Sequence, residues 1–105
     1  MQQITLSGTL ITEAFRQVDK KGRPYIRFTL SCGSIMPGDR VEYTHYKCVC
    51  YIGGYDRLEK GDQVFVVGKL QASIQYDESQ SPSLNLQVMV TNMSGGRRAE
   101  DKKKK

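Results

Sequence analysis

The sequence predicts an all-β domain, a small barrel of five strands. Three observations carry that prediction. Apolar residues recur at every second position along most of the chain, no long stretch repeats with a helical period, and glycine- or proline-bearing turns separate the alternating runs. At 105 residues the chain has room for one core and one domain.

The first run, "QITLSGTLI", alternates Ile4, Leu6, Gly8 and Leu10. Gly8 stands where a side chain is expected, which marks a bend or the close approach of another backbone. "PYIRFTLSC" places Ile26, Phe28 and Leu30 on one face and Tyr25, Arg27, Thr29 and Ser31 on the other. Between these two runs "DKKGRP" has turn chemistry, so they form a hairpin. A second turn pivots on Pro37-Gly38 in "SIMPGDR", and "VEYTHYKCVCYI" follows as a long third strand. "GGYDRLEKGD" leaves space for a short helix or a turn. "QVFVVGKLQASIQY" is the fourth strand, whose run from Val64 to Val67 reads as buried on both faces. After the polar loop "DESQSPS" comes "LNLQVMVTNM", alternating Leu84, Leu86, Val88 and Val90. Five strands with a short helix or turn between the third and fourth is the order of an OB-fold barrel, with an SH3-like barrel or a small sandwich as the alternatives. The domain spans 1–93, and 94–105 lacks an apolar pattern and reads as a disordered basic tail.

Composition narrows the function classes. No apolar run is long enough to cross a bilayer and the N-terminus has no signal-peptide pattern, which predicts a cytoplasmic protein without a membrane role. Three cysteines, two of them in Cys48-Val49-Cys50, make a poor disulfide framework and fit reduced thiols. The net charge of +5 is concentrated at the tail: residues 1–94 hold ten Lys/Arg against nine Asp/Glu. A local patch is more informative, because residues 16–27 carry Arg16, Lys20, Lys21, Arg23 and Arg27 against Asp19 alone.

The stretch "THYKCVCYIGG" gathers the one histidine, two cysteines and two tyrosines. Alternation divides them. Tyr46, Cys48, Cys50 and Ile52 share a face that reads as core, since a free cysteine behaves as a small hydrophobe. Tyr43, His45, Lys47, Val49 and Tyr51 share the other. His45 therefore faces away from both cysteines, which argues against a metal site, and no metal or other cofactor is expected. A core-facing thiol lacks the basic, accessible surroundings of a nucleophile, and no carboxylate pair or phosphate loop stands nearby, so no enzyme is expected either. Rings interleaved with a cation suit a base that stacks while its phosphate meets charge.

In this order the pieces "ITLSGTL", "GRPYIRFTL", "YKCVCY", "LEKGDQVFVVGKLQ" and "LNLQVMVTNM" resemble the bacterial single-stranded DNA-binding protein family, including its smaller primosomal replication protein N-like members, over residues 4 to 93. The resemblance implies an OB barrel, single-stranded DNA as ligand and a dimer or tetramer as the working unit. It also implies a stacking aromatic at Tyr51, another near His45, a hairpin aromatic near Tyr76, and exposed basic positions at Arg27 and Lys47. Two departures matter. The family's helix after the third strand is replaced by glycine-rich "IGGYDRLEKG", and the acidic tail through which the family recruits other proteins is replaced by "KKKK", so recruitment of that kind is not expected.

The reading that results is a single-strand binder in DNA replication, recombination or transfer. Arg16, Lys20, Lys21, Arg23, Arg27, Lys47 and Lys69 track phosphates, and Tyr25, Tyr43, His45, Tyr51 and Tyr76 offer ring faces. The near-neutral body supports an alternative, an accessory subunit of a replication or conjugation complex that uses the barrel as a scaffold. RNA is a third possibility, because none of these residues reads a 2′-hydroxyl.

Overall fold

The computed structural model describes residues 2–55 and 58–95. Six strands run in the order β1 (Gln2–Leu10), β2 (Phe15–Val18), β3 (Pro24–Met36), β4 (Arg40–Cys50), β5 (Gln63–Tyr76) and β6 (Pro82–Gly95). Five of them form the barrel: β1 pairs with β5, β5 with β6, β6 with β4, β4 with β3, and β3 returns to β1 through Thr9 against Ser31 and Leu10 against Leu30. Among the described residues only the β4–β6 pairing is parallel. This is the OB-fold, as the alternation and turns predict.

The predicted first hairpin is the one difference in topology. Residues 11–14 interrupt the first run, so β1 turns away to pair with β5 and the partner of β3 across the turn at 19–23 is the separate short strand β2. The backbone of Ile11 still donates to the Thr29 carbonyl at 3.0 Å, and the Thr12 hydroxyl accepts the Thr29 N–H at 3.2 Å. Gly8 sits at the closing corner, where a Cβ would lie 2.5 Å from the Ser31 carbonyl oxygen. Absence of a side chain there is what lets β1 cross onto β3. Gly68 has the same role at the β-bulge between Val67 and Gly68, against the Met89 backbone.

Inward rows make the core: Leu6 and Leu10 of β1, Ile26, Phe28 and Leu30 of β3, Cys48 and Cys50 of β4, Val64 and Val66 of β5, and Val88, Val90 and Met93 of β6. A side chain such as Leu30, wholly buried, contributes about 1.5–3 kcal/mol. Three expected core positions differ. Phe65 is 47% exposed, because the Val64–Val67 run obeys ordinary alternation and only Val64 and Val66 point inward. Leu84 is exposed because the paired ends of β5 and β6 project beyond the barrel as an arm. Ile52 lies past the end of β4 and is partly exposed.

The connection from β4 to β5 is formed of turns among its described residues. It closes one end of the barrel all the same: Leu58 is buried in the core, and the Tyr55 hydroxyl donates to the Met93 carbonyl at 2.6 Å. The last strand reaches Gly95, two residues beyond the domain end read from the sequence, and the rest of the predicted tail, 96–105, lies outside the described residues. Among the described residues no helix is long and apolar enough to cross a membrane.

Candidate nucleic-acid interface

The outward face of the barrel follows from register. Arg27 of β3 stands opposite Val49 of β4, and Thr29 opposite Lys47. On one flank β2 sets Phe15 beside Arg27 and Gln17 beside Tyr25. On the other, β6 sets Met89 beside Val49 and Gln87 beside Lys47, and β5 sets Lys69 beside Met89. One cross-strand row therefore reads Phe15, Arg27, Val49, Met89, Lys69: a ring, a cation, two apolar side chains and a second cation.

The first four of these residues border an open groove of about 630 Å³ that Thr12, Gln17, Tyr25, Lys47, Tyr51 and Gln87 also line. Phe15 and Met89 are 53% and 41% exposed, large apolar groups left facing solvent. Flat apolar surface between fixed cations can hold a base by stacking while the sugar-phosphate backbone runs past the charges.

Among the residues named from the sequence, Tyr25, Arg27, Lys47 and Tyr51 converge on this groove, and Lys69 stands on the same face one strand beyond Met89. Tyr43 and His45 are on that face too, farther along β4 toward the β3–β4 turn, with the Tyr43 ring lying over Gly33. Lys20 and Lys21 occupy the tip of the β2–β3 hairpin. Arg16 is on the opposite face of β2 from Phe15 and Gln17 and borders a separate, smaller pocket of about 110 Å³ with Gly53 and Tyr55. Tyr76 shares the face of β5 that continues the core row, so the structure does not bring it to the groove.

Phe15, Gln17, Gln87 and Met89 also line the groove and are not among the residues named from the sequence. For Gln87 and Met89 the signal was present, since the alternation that sends Val88 and Val90 inward sends these two outward. For Phe15 and Gln17 it was not, because a four-residue strand is too short to declare its own period.

A network of polar contacts runs along the groove's rim. The Tyr25 hydroxyl donates to Gln17 Oε1 at 2.9 Å, and Arg27 Nη1 reaches the same oxygen at 3.4 Å. The Tyr25 and Tyr51 rings meet with centroids 5.1 Å apart and planes tilted by 36°. Arg23 lies over Tyr51, 5.2 Å from its centroid, and its Nε is bonded to Asp19 Oδ2 at 2.9 Å. Thus Arg23 is ion-paired and the Tyr51 ring has two neighbours, where the sequence suggested an unengaged cation and an open ring face.

Asp19 is held below its ordinary carboxylate value chiefly by the Arg23 backbone N–H, with the Tyr51 hydroxyl, the Lys21 N–H and the Arg23 side chain adding to it. Tyr51 is correspondingly pushed up, by loss of solvent first and by the adjacent Asp19 second. In the core, burial pushes the Cys48 thiol up to about 12. His45 faces outward from β4 while Cys48 and Cys50 are buried, so the residues of "THYKCVC" do not converge on a common ligand.

A closed barrel of this strand order, with rings and cations on its outer face, is the architecture of proteins that hold extended, unpaired nucleic acid. The single-strand binding protein family is matched over residues 1–95, and the chain belongs to it. Two solved structures share the fold. A Plasmodium falciparum SSB in complex with ssDNA superposes with a TM-score of 0.69 at 17% identity, covering 92% of this chain and 96% of that one. A small single-stranded DNA-binding protein from Streptomyces coelicolor superposes with a TM-score of 0.72 at 16% identity, covering 90% of this chain and 93% of that one. No curated protein matches the chain.

Proposed function

We propose that this chain binds single-stranded DNA across the outer groove, as a binder and not a catalyst, in replication, recombination or transfer of DNA. The observation that carries the proposal is the cross-strand row Phe15, Arg27, Val49, Met89, Lys69, in which two cations flank an apolar floor on a barrel of the single-strand binding family. Bases stack on Phe15 and Tyr25 and pack against Met89, and phosphates meet Arg27, Lys47 and Lys69. Lys20, Lys21 and Arg23 extend the charged track along the β2–β3 hairpin, and Tyr43 and His45 extend the aromatic track along β4. Arg16 and Tyr76 are peripheral in this arrangement, since neither faces the groove.

Self-association into a dimer or tetramer belongs to the same reading. Residues 2–8 of β1 pair with β5 on one side, and their other edge meets no strand among the described residues, a surface that recruits a further strand. Three free thiols, two of them in the core, suit a reducing compartment such as the cytoplasm.

The test is a titration of a labelled thirty-nucleotide oligo-thymidine and of a matching duplex, at two salt concentrations, with the full chain and with a version ending at Gly95. The proposal expects both versions to prefer the single strand, with log K falling by about 0.7 per decade of salt for each phosphate contacted. Equal grip on the duplex, or binding that disappears with the tail, would overturn it.

A second reading, the accessory subunit that works through protein contacts, draws on the β5–β6 arm. Ile74, Tyr76 and Leu84 are each more than 60% exposed on one face of it, Ile74 directly opposite Leu84. Its tip carries Asp77 and Glu78, which repel phosphate. Binding of a protein partner at low and high salt alike, with no grip on oligonucleotides, would favour this reading.

A further inference from the structure

Asp19 is the one carboxylate in residues 16–27, among five cations. By charge alone it would oppose any phosphate approaching that hairpin. Its geometry argues the reverse. Oδ1 accepts the backbone N–H groups of Lys21 and Arg23, each at 2.9 Å, while Oδ2 accepts Arg23 Nε at 2.9 Å and the Tyr51 hydroxyl at 3.1 Å. Four donors surround the carboxylate, whose side chain is only 16% exposed, and its charge is turned into the hairpin.

Arg23 is engaged differently. Its side chain is 63% exposed and bonded to Asp19 through Nε, which leaves the Nη edge of the guanidinium toward solvent. That edge is the fork that matches two phosphate oxygens. The same carboxylate also ties the hairpin to the barrel. β2 pairs with β3 and with no other described strand, and all four of its residues are exposed. The Asp19 bond to Tyr51 spans 32 positions in sequence, and Tyr51 lines the groove.

The geometry points to Asp19 as a positioning residue of the nucleic-acid site, which fixes Arg23 and the Tyr51 ring at the groove's rim so that the outer edge of the guanidinium meets a phosphate already ordered. A long arginine side chain immobilised in advance loses less entropy on binding than a free one. This inference rests on the single-strand-binding reading above and adds to it a residue whose charge has the wrong sign for direct contact.

The experiment uses the full chain, the oligo-thymidine and a series of salt concentrations. Asp19→Asn keeps an oxygen for the two turn N–H groups and removes the anion. It is expected to weaken binding by about threefold to tenfold, the cost of ordering one long side chain. It should also flatten the dependence of log K on log salt by about 0.7, the share of a single phosphate. In an Arg23→Ala background the same substitution should cost less, leaving only the smaller share carried by the Asp19–Tyr51 bond.

Tyr51→Phe keeps the ring and the turn and removes the hydroxyl donor, so it provides the check if Asp19→Asn lowers the melting temperature. It should weaken binding less than Asp19→Asn and add nothing to it in combination. Tighter binding with a steeper salt slope in Asp19→Asn would overturn the inference and make Asp19 a competitor of phosphate. Unchanged binding, or an equal loss with Arg23 removed, would overturn it as well. A parent chain that ignores the oligonucleotide would overturn the underlying reading, and this one with it, before any variant is compared.

Discussion

Phe15 illustrates what a single residue does in this molecule. It is a phenylalanine on a short strand at the sheet margin, more than half exposed, beside Arg27. Its replacement by alanine removes little core packing. If its ring carries a base, Phe15→Ala should cost about 1–3 kcal/mol of affinity for oligo-thymidine, read by fluorescence titration, with the melting temperature unchanged.

Asp19 makes a second residue-scale prediction, concerning pH. Its folded carboxyl lies below the ordinary value of 3.8, so the contribution of the Asp19 hydrogen bonds is fully present above that value and is lost as the pH falls through the lower, folded one. The Tyr51 ring should therefore come away from the hairpin tip in acid, seen as a shift of its ring resonances in Tyr51-assigned spectra. In Asp19→Asn that acid transition should be absent. Thiol chemistry follows the same logic: with Cys48 pushed up to about 12 and Cys50 equally buried, both should resist a disulfide reagent at neutral pH until the protein is unfolded.

At the scale of elements, the barrel closes where side chains are missing. Gly8→Ala drives a Cβ to 2.5 Å from the Ser31 carbonyl oxygen and should destabilise the fold by about 1–3 kcal/mol, measured by thermal or urea unfolding. Gly53→Ala is the control, since nothing stands within 4 Å of its Cβ, and it should be neutral or slightly stabilising. The elements are largely legible in the sequence, because alternation sorts Ile26, Phe28 and Leu30 inward and Tyr25, Arg27 and Thr29 outward without ambiguity. Illegible parts have local causes. The break at residues 11–14 carries no glycine or proline to announce it, so β2 has no visible boundary with β1. Phe65 is hidden in an apolar run, and Leu84 keeps the alternation of a buried strand although its stretch of β6 lies beyond the barrel.

For the whole molecule, the candidate site is a product of closure. Phe15 and Lys69 are fifty-four positions apart in sequence and join one row only because the parallel β4–β6 pairing links the two antiparallel halves of the sheet. The sequence marks the cations and tyrosines of that face but not their engagement: that Arg23 and Tyr51 are both held by Asp19 depends on side-chain geometry across the fold, which no spacing expresses. It also offers Tyr76 as a member, and the register of the β5–β6 arm turns that ring to the other face.

The most direct measurement is a map of backbone amide shifts on adding oligo-thymidine to the isotope-labelled full chain. We expect the largest changes at Phe15, Arg27, Thr29, Lys47 and Met89, on strands distant in sequence and adjacent on the outer face. Changes confined to the β5–β6 arm, or to residues beyond Gly95, would contradict the placement of the site in the groove.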